Sequence, residues 1–137
     1  MLCMSILSIN ANASSCMEQV IQHGADYRYA REYCEGVSYR CAKASLSTGA
    51  DYRYLKSYCT GISGLCAEAA INDGADYRYI KSYCEDVNGI CARAVISAGA
   101  DYRYLGTYCK NVDGNCVRAV INGGAHYTHV QSLCGRK

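Results

Sequence analysis

Apolar and small side chains recur at helical spacing in two neighbouring stretches, residues 91–98 and 105–112. The first stretch carries them at Cys91, Ala94, Val95 and Ala98, and the second at Leu105, Tyr108, Cys109 and Val112. Positions i, i+3, i+4 and i+7 lie on one face of an α-helix, so the pattern predicts two short amphipathic helices. A β-solenoid is the alternative, because tyrosine and valine favour strands. Alternation of period two, which a half-buried strand requires, does not extend over a useful length.

Glycine and polar residues mark the ends of the two helices. Gly99 stands where a left-handed residue would end the first helix, and Asp101 is a predicted N-cap of the second. A polar residue followed by glycine, Asn88-Gly89, precedes the first helix. Similar turns occur elsewhere in the chain at Ser63-Gly64 and Asp113-Gly114. The corresponding Ser38-Tyr39 lacks the glycine, so we expect that junction to be shaped differently.

The helix pair belongs to a unit that recurs five times with a fixed step of 25 residues. Its hallmark, Gly-Ala-Asp-Tyr-Arg-Tyr, begins at Gly24, Gly49, Gly74 and Gly99, and returns in altered form at Gly124. A constant period is typical of repeat architectures, in which each unit packs only on its neighbours. The sequence predicts an all-α fold, an α-solenoid of two-helix repeats that form one domain over residues 14–137. The repeats begin near Cys16, Cys41, Cys66, Cys91 and Cys116.

Ten of the eleven cysteines keep the same step, two to a repeat. In an antiparallel helix pair the first helix begins beside the end of the second, so each repeat is predicted to close its own disulfide. The predicted pairs are Cys16–Cys34, Cys41–Cys59, Cys66–Cys84, Cys91–Cys109 and Cys116–Cys134. The alternative links successive repeats, as in Cys34–Cys41, and leaves Cys16 and Cys134 unpaired. Such a bridge contributes roughly 3 kcal/mol, which these helices need because they are too short to persist alone.

Residues 1–13 are interpreted as a signal peptide. They carry no charged side chain, include a short apolar run and end in Ala11-Asn12-Ala13, a small-x-small cleavage pattern. The basic residues that usually open such a segment are missing. Cleavage after Ala13 would remove the odd cysteine, Cys3, and leave ten for pairing. Since disulfides persist in oxidising compartments, we expect the protein to be secreted or periplasmic.

Charge and motifs argue against several functions. A net charge of +2 without long charged blocks does not favour nucleic-acid binding, and no later segment approaches the ~20 apolar residues of a membrane span. The acidic residues that recur with the repeat, Asp26, Asp51, Asp76 and Asp101, do so in an identical setting, whereas an active site normally needs one asymmetric cluster. We therefore expect neither an enzyme nor a cofactor.

No C-x-x-C pair occurs, so no metal site is predicted, although storage of soft metals by thiolates is a further hypothesis.

Stacking turns equivalent residues of successive repeats into columns. Tyr108 and its equivalents share an apolar face with Leu105 and are expected to pack between repeats. The consecutive residues Tyr102, Arg103 and Tyr104 cannot all face inward, and tyrosine and arginine are enriched at interfaces. The predicted binding surface comprises Tyr27, Arg28, Tyr52, Arg53, Tyr77, Arg78, Tyr102 and Arg103. The favoured function is non-catalytic binding of a protein or peptide, and the alternative is a structural protein that self-associates into a filament or surface layer.

The fifth repeat departs from the pattern and reads Ala125-His126-Tyr127-Thr128-His129. A terminal repeat loses a neighbour and is expected to become a more polar cap. The alternative is a histidine site, because His126 and His129 at i, i+3 could share a helical face as metal ligands or as a pH-sensitive pair.

The 25-residue unit is shorter than ankyrin and tetratricopeptide repeats, which have about 33 and 34 residues. Its Gly-Ala-Asp turn resembles the ankyrin turn, but the Thr-Pro-Leu-His signature is missing. One disulfide per two-helix repeat resembles the architecture of exported, cysteine-rich bacterial relatives of tetratricopeptide proteins. That resemblance concerns architecture and carries no functional residue over.

Overall fold

Within the described residues, ten α-helices follow one another in five pairs, each with a longer first helix and a short second helix. The computed structural model describes the backbone of residues 11–136 and the side chains of residues 16–136. The first helices are α1 (Ala11–Gln22), α3 (Tyr39–Ser47), α5 (Gly64–Asn72), α7 (Gly89–Ser97) and α9 (Gly114–Asn122). The second helices are α2 (Ala30–Cys34), α4 (Leu55–Cys59), α6 (Ile80–Cys84), α8 (Leu105–Cys109) and α10 (Val130–Cys134).

The repeats stack into two helical layers. Each first helix packs against the first helices of the neighbouring repeats, and the second helices pack against one another in the same order. Residues 11–136 contain no β-strand, only the isolated bridges Val87–Lys110 and Val112–Gly135 between linkers of neighbouring repeats. The predicted all-α solenoid of two-helix repeats is confirmed.

The first helices begin and end where the sequence predicts. A polar side chain before the helix accepts a hydrogen bond from a cysteine N–H three residues on: Ser38 from Cys41, Ser63 from Cys66 and Asn88 from Cys91. Ser38 caps α3 in the same way although Tyr39 replaces glycine, so the expectation of a differently shaped junction is not met at this cap. After α7, Gly99 has a φ of +104°. Glycine adopts this conformation without steric strain.

The second half of each repeat holds a shorter helix than the sequence pattern predicts. Asp101 caps a single 3-10 turn, Tyr102–Tyr104, instead of opening an α-helix. Helix α8 begins at Leu105 and has five residues, because the chain then becomes extended and reaches a φ of +54° at Asn111. Val112, which the spacing placed in the helix, is instead buried in the linker.

Glycine at the start of a first helix allows neighbouring repeats to approach closely. A Cβ atom at Gly89 would overlap Ser63 Oγ and Leu65 Cβ of the preceding repeat, and one at Gly114 would overlap Asn88 Oδ1. The capping side chain of one repeat therefore lies against the bare backbone of the next. The sequence shows these glycines as turn residues, whereas the structure shows them as contacts between repeats.

Each repeat is closed by its own disulfide, which confirms the predicted pairing. The bridges are Cys16–Cys34, Cys41–Cys59, Cys66–Cys84, Cys91–Cys109 and Cys116–Cys134. Paired Cα atoms lie 5.5–5.9 Å apart, across a sequence separation of 18 in every case. All of these cysteines except Cys116 are buried, together with Leu55, Ile80 and Leu105. The bridges thus form part of the core between the two layers.

The predicted signal peptide lies largely outside the described residues, which begin at Ala11. Ala11–Ala13 form the start of helix α1. Among residues 11–136, no helix has the length and apolar character needed to cross a membrane. Five disulfides in one short chain are typical of a protein that folds in an oxidising compartment.

Candidate binding surface

Arginine and aspartate form the same ion pair in the first four repeats. Arg53 donates from Nε to both carboxylate oxygens of Asp51, and from Nη2 to Oδ2 at 2.6 Å. The backbone N–H of Arg53 donates to Oδ1 of the same carboxylate. The equivalent pairs are Asp26–Arg28, Asp76–Arg78 and Asp101–Arg103. The aspartates predicted as caps therefore also hold the arginines that the sequence assigns to binding.

Each arginine lowers the pKa of its aspartate partner. The side-chain hydrogen bond contributes most and the backbone hydrogen bond contributes next, and together they lower the pKa below the ordinary value of 3.8 at Asp26, Asp51, Asp76 and Asp101. The side-chain hydrogen bonds to the aspartates also raise the pKa of the arginines. Because solvent screens an exposed pair, its main effect is geometric. It fixes the guanidinium beside the 3-10 turn and leaves Nη1 outside the pair as a hydrogen-bond donor.

The first tyrosine of the motif packs across the boundary between repeats. The ring of Tyr52 meets Tyr33 of the preceding repeat edge-on, with centroids 5.1 Å apart, and its hydroxyl lies 3.5 Å from the Gly24 carbonyl oxygen. Equivalent edge-on pairs are Tyr58–Tyr77, Tyr83–Tyr102 and Tyr108–Tyr127, at 5.1–5.3 Å. Tyr108 and its equivalents thus pack between repeats, as predicted. Tyr27 belongs to the first repeat, so no tyrosine ring among the described residues takes the place of Tyr33 against it, and it is 74% exposed.

The second tyrosine of the motif is exposed and directly precedes the second helix of its repeat. The exposed fraction is 50–57% at Tyr29, Tyr54, Tyr79 and Tyr104. Each of these tyrosines directly follows an arginine whose side chain is 62–66% exposed. We call this surface the Tyr/Arg row, which consists of Arg28, Tyr29, Arg53, Tyr54, Arg78, Tyr79, Arg103 and Tyr104.

The eight residues predicted for binding lie in two different settings. The four arginines are exposed members of the row and Tyr27 is exposed on the first repeat, whereas Tyr52, Tyr77 and Tyr102 are half-buried at repeat boundaries. The predicted binding surface does not include the exposed tyrosines Tyr29, Tyr54, Tyr79 and Tyr104. In a continuous helix Tyr104 would share a face with Tyr108, four residues on. The 3-10 turn breaks that register and directs Tyr104 to solvent.

In the fifth repeat His126 takes the place of the capping aspartate. Its Nδ1 accepts a hydrogen bond from the Thr128 N–H at 3.3 Å, and Thr128 Oγ1 lies 2.8 Å from the same atom. The imidazole stacks on Tyr127 at 4.3 Å, and its centroid is 6.5 Å from that of His129. Within the described part of the chain, no three His, Cys, Asp or Glu side chains gather as a metal site would require. His126 therefore acts as a cap in this structure.

A groove on the first-helix layer and the paired cysteines are two further candidate sites. A shallow groove of about 450 Å³ lies on the first-helix layer, and its lining includes Leu65, Ile90, Arg93, Ala94, Arg118 and Ile121. Its charged groups are two arginines, which form no acid and base pair. The ten cysteines from Cys16 to Cys134 are all bridged, so none of them supplies the thiolate that metal storage requires.

The Tyr/Arg row is the part of the described surface where aromatic and cationic side chains recur together in register. Its geometry repeats because the disulfide and the aspartate cap repeat with it, as does the 3-10 turn from the second repeat onward, whereas residues 27–29 of the first repeat form a plain turn. Comparison with protein-family models, curated proteins and solved structures gives no match to this chain.

Proposed function

We propose that this protein is a non-catalytic binding module that holds an extended protein or peptide segment along the Tyr/Arg row. One observation carries the proposal: four tyrosines, each half exposed or more, stand beside arginines that an aspartate holds in place. Tyrosine offers a large contact area at a small entropic cost, since only two side-chain torsions must be fixed. Arginine and tyrosine are the residue types that dominate binding energy at interfaces.

The row is ordered before any partner arrives. Ser57 Oγ donates a hydrogen bond to the Tyr54 carbonyl at 2.6 Å, and Ser82 does the same to Tyr79 at 2.7 Å. The aspartate holds the guanidinium in all four repeats of the row, and in the second and third repeats the serine also binds the backbone carbonyl of the exposed tyrosine. Binding to a pre-ordered surface loses less conformational entropy, which favours affinity.

The regular step of the row suits an extended ligand. Equivalent side chains recur once per repeat in four stacked repeats, so a partner in contact with all of them must run along the stack. Arginine Nη1 atoms and the exposed Lys56 and Lys81 supply donors, and neither lysine forms an ion pair with a described side chain. A segment with spaced carboxylates and apolar side chains would complement this surface.

The compartment is part of the same proposal. Five internal disulfides need an oxidising environment to form and persist, and the apolar, uncharged start of the sequence resembles an export signal. We therefore place the binding function outside the cytoplasm, in the secreted or periplasmic space. The recurring acids Asp26, Asp51, Asp76 and Asp101 pair with arginine and cap the turn, so we assign them no catalytic role.

The test is selection of ligands from a displayed library of random linear peptides on the disulfide-bonded protein. We expect selected peptides to lose affinity by about tenfold or more, the loss typical of interface hot spots, when Tyr54→Ser and Tyr79→Ser are combined. Lys43→Ser with Arg93→Ser is the matched control, because these exposed cations belong to the first-helix layer. Circular dichroism verifies that both variants keep their helices.

Two outcomes would overturn the proposal. One is selected peptides whose affinity falls equally in the control variant, which would place binding elsewhere. The other is failure of the library to yield any peptide that competes for a single surface on the protein.

A further inference from the structure

Every boundary between repeats is made of the same two faces. The front face meets the following repeat and includes the tyrosine at Tyr33, Tyr58, Tyr83 or Tyr108. The back face meets the preceding repeat and includes the tyrosine at Tyr52, Tyr77, Tyr102 or Tyr127. The fifth repeat carries Leu133 at the front-face position, and the first repeat carries Tyr27 at the back-face position. These two side chains are 55% and 74% exposed.

The first helices show the same pair of faces. On the back face Ile21 is 42% exposed, whereas its equivalents Leu46 and Ile71 are 3% and 5% exposed, and Ile96 and Ile121 are half-buried. On the front face Val120 of the fifth repeat is only half-buried, whereas Val20 of the first repeat is fully buried. The apolar side chains exposed on the first and fifth repeats are thus those that the opposite face covers at internal boundaries.

We propose that copies of this chain associate head to tail, with the front face of the fifth repeat docked on the back face of the first repeat of the next copy. Internal boundaries provide the template. Leu133 takes the place of an edge-on ring against Tyr27, and the Tyr27 hydroxyl reaches the Gly124 carbonyl as Tyr52 reaches Gly24. This assembly goes beyond peptide binding and uses residues outside the Tyr/Arg row.

Charges on the first helices favour this order. Glu18 of α1 and Arg118 of α9 occupy equivalent positions in their repeats, and both are exposed. Ion pairs form across such boundaries, as Arg40 of α3 and Glu68 of α5 show at 2.8 Å. The fifth repeat carries Asn115 at the Arg40 position, and Arg118 Nη2 donates a hydrogen bond to Asn115 Oδ1 at 2.9 Å, so the Arg118 guanidinium lies beside that position. Head-to-tail docking brings Arg118 of one copy near Glu18 of the next, whereas docking of two first repeats would bring two glutamates together.

Head-to-tail docking leaves one front face and one back face open after each addition. A heterologous contact of this kind does not close on itself unless its rotation forms a ring, so it produces linear chains of copies. The stack of repeats then continues from one copy into the next, and the Tyr/Arg row continues with it.

Sedimentation velocity of the full, disulfide-bonded chain over a wide concentration range tests the proposal. We expect the average mass to rise steadily with concentration and to pass the dimer. Leu133→Glu should raise the apparent dissociation constant by about tenfold or more, whereas Thr107→Glu should leave it unchanged, because Thr107 is exposed on α8 of an internal repeat whose two faces are already covered. A strictly monomeric wild-type protein, or equal effects of the two substitutions, would refute head-to-tail association.

A mixing experiment identifies the faces. Leu133→Glu weakens the front face and Tyr27→Glu weakens the back face, so each variant alone should stay mainly monomeric at concentrations where the wild type associates. An equimolar mixture should form a dimer and stop, since one intact front face then meets one intact back face. A mixture that stays monomeric, or variants that each associate like the wild type, would contradict the assignment. Both variants keep the Tyr/Arg row, so their peptide binding reports on the proposed function independently, and helix content with absence of free thiols verifies their folding.

Discussion

We expect the disulfide at the centre of the array, Cys66–Cys84, to contribute more to the stability of the fold than any other single interaction. We consider replacement of both Cys66 and Cys84 by alanine. The bridge closes a loop with a sequence separation of 18, for which the chain-entropy relation gives about 10.7 cal/mol/K, or about 3.2 kcal/mol at 25 °C. The two cysteines are 0% and 1% exposed, so the lost sulfur packing adds roughly 1 kcal/mol. We expect the free energy of unfolding to fall by about 3–4 kcal/mol.

Urea unfolding followed by far-ultraviolet circular dichroism measures this loss. The matched control replaces Cys116 and Cys134, which close a loop of the same length in the fifth repeat. Cys116 is only half-buried, and the described residues place a neighbour on one side of that repeat. Loss of the terminal bridge should therefore loosen the fifth repeat and leave the main transition nearly unchanged. Loss of the central bridge should weaken the repeats on both sides, because stability in such arrays passes between neighbours.

The reasoning fails if the central replacement costs less than about 1 kcal/mol, well below the chain-entropy value. It also fails if the central and terminal replacements shift the main transition equally. Either result would mean that packing between layers, rather than the bridges, holds the short helices together.

Three further predictions concern single positions. Gly89→Ala should lower the free energy of unfolding by about 1–3 kcal/mol, because the new methyl group overlaps Ser63 and Leu65. Gly106→Ala should raise it by about 0.5–1 kcal/mol, since only the flexible end of a lysine lies near and the site is helical, and thermal unfolding separates the two variants. Ser45 is fully buried and its hydroxyl forms hydrogen bonds only with cysteine sulfurs, at 3.7–3.8 Å. In urea unfolding, Ser45→Ala should therefore leave the free energy of unfolding unchanged or raise it by up to about 1 kcal/mol. The aspartates paired with arginine have a lowered pKa in the folded state, so they stabilise the fold above the ordinary pKa of 3.8 and this stabilisation is lost as the pH falls through the lowered pKa. The melting temperature should hold from about pH 7 to 5 and drop below about pH 4, with a smaller drop in Asp76→Asn.

The fold was predictable where the physics is local. The spacing of Cys91, Val95 and their neighbours on one helical face needs no tertiary information, and Gly99 and Asn88 mark helix ends through backbone geometry and capping. Pairing within a repeat followed from the antiparallel helix hairpin. The length of the second helix was mispredicted, because the i, i+3, i+4, i+7 spacing from Leu105 to Val112 does not reveal the 3-10 turn before it or the positive φ at Asn111.

The candidate surface was predictable only in part. The sequence singled out tyrosine and arginine at the right turn, and it identified Asp101 as a cap. It did not show that the cap also binds Arg103, because a side chain that returns to a residue two positions earlier is set by the 3-10 turn. Nor did it predict that Tyr104 is more exposed than Tyr102, since their exposure depends on which ring the neighbouring repeat covers.

By itself the sequence determined the repeat and the two helices in each unit, and it favoured one disulfide within each unit over bridges between units, because these depend on periodicity and on contacts within about 25 residues. Only the tertiary structure decided which tyrosines are buried and which are exposed. It also showed that Gly89 and Gly114 serve close approach between repeats, and that the first and fifth repeats expose matching apolar faces. These properties depend on how one repeat lies on the next, and identical sequence copies cannot distinguish a side chain that meets a neighbour from one that meets water.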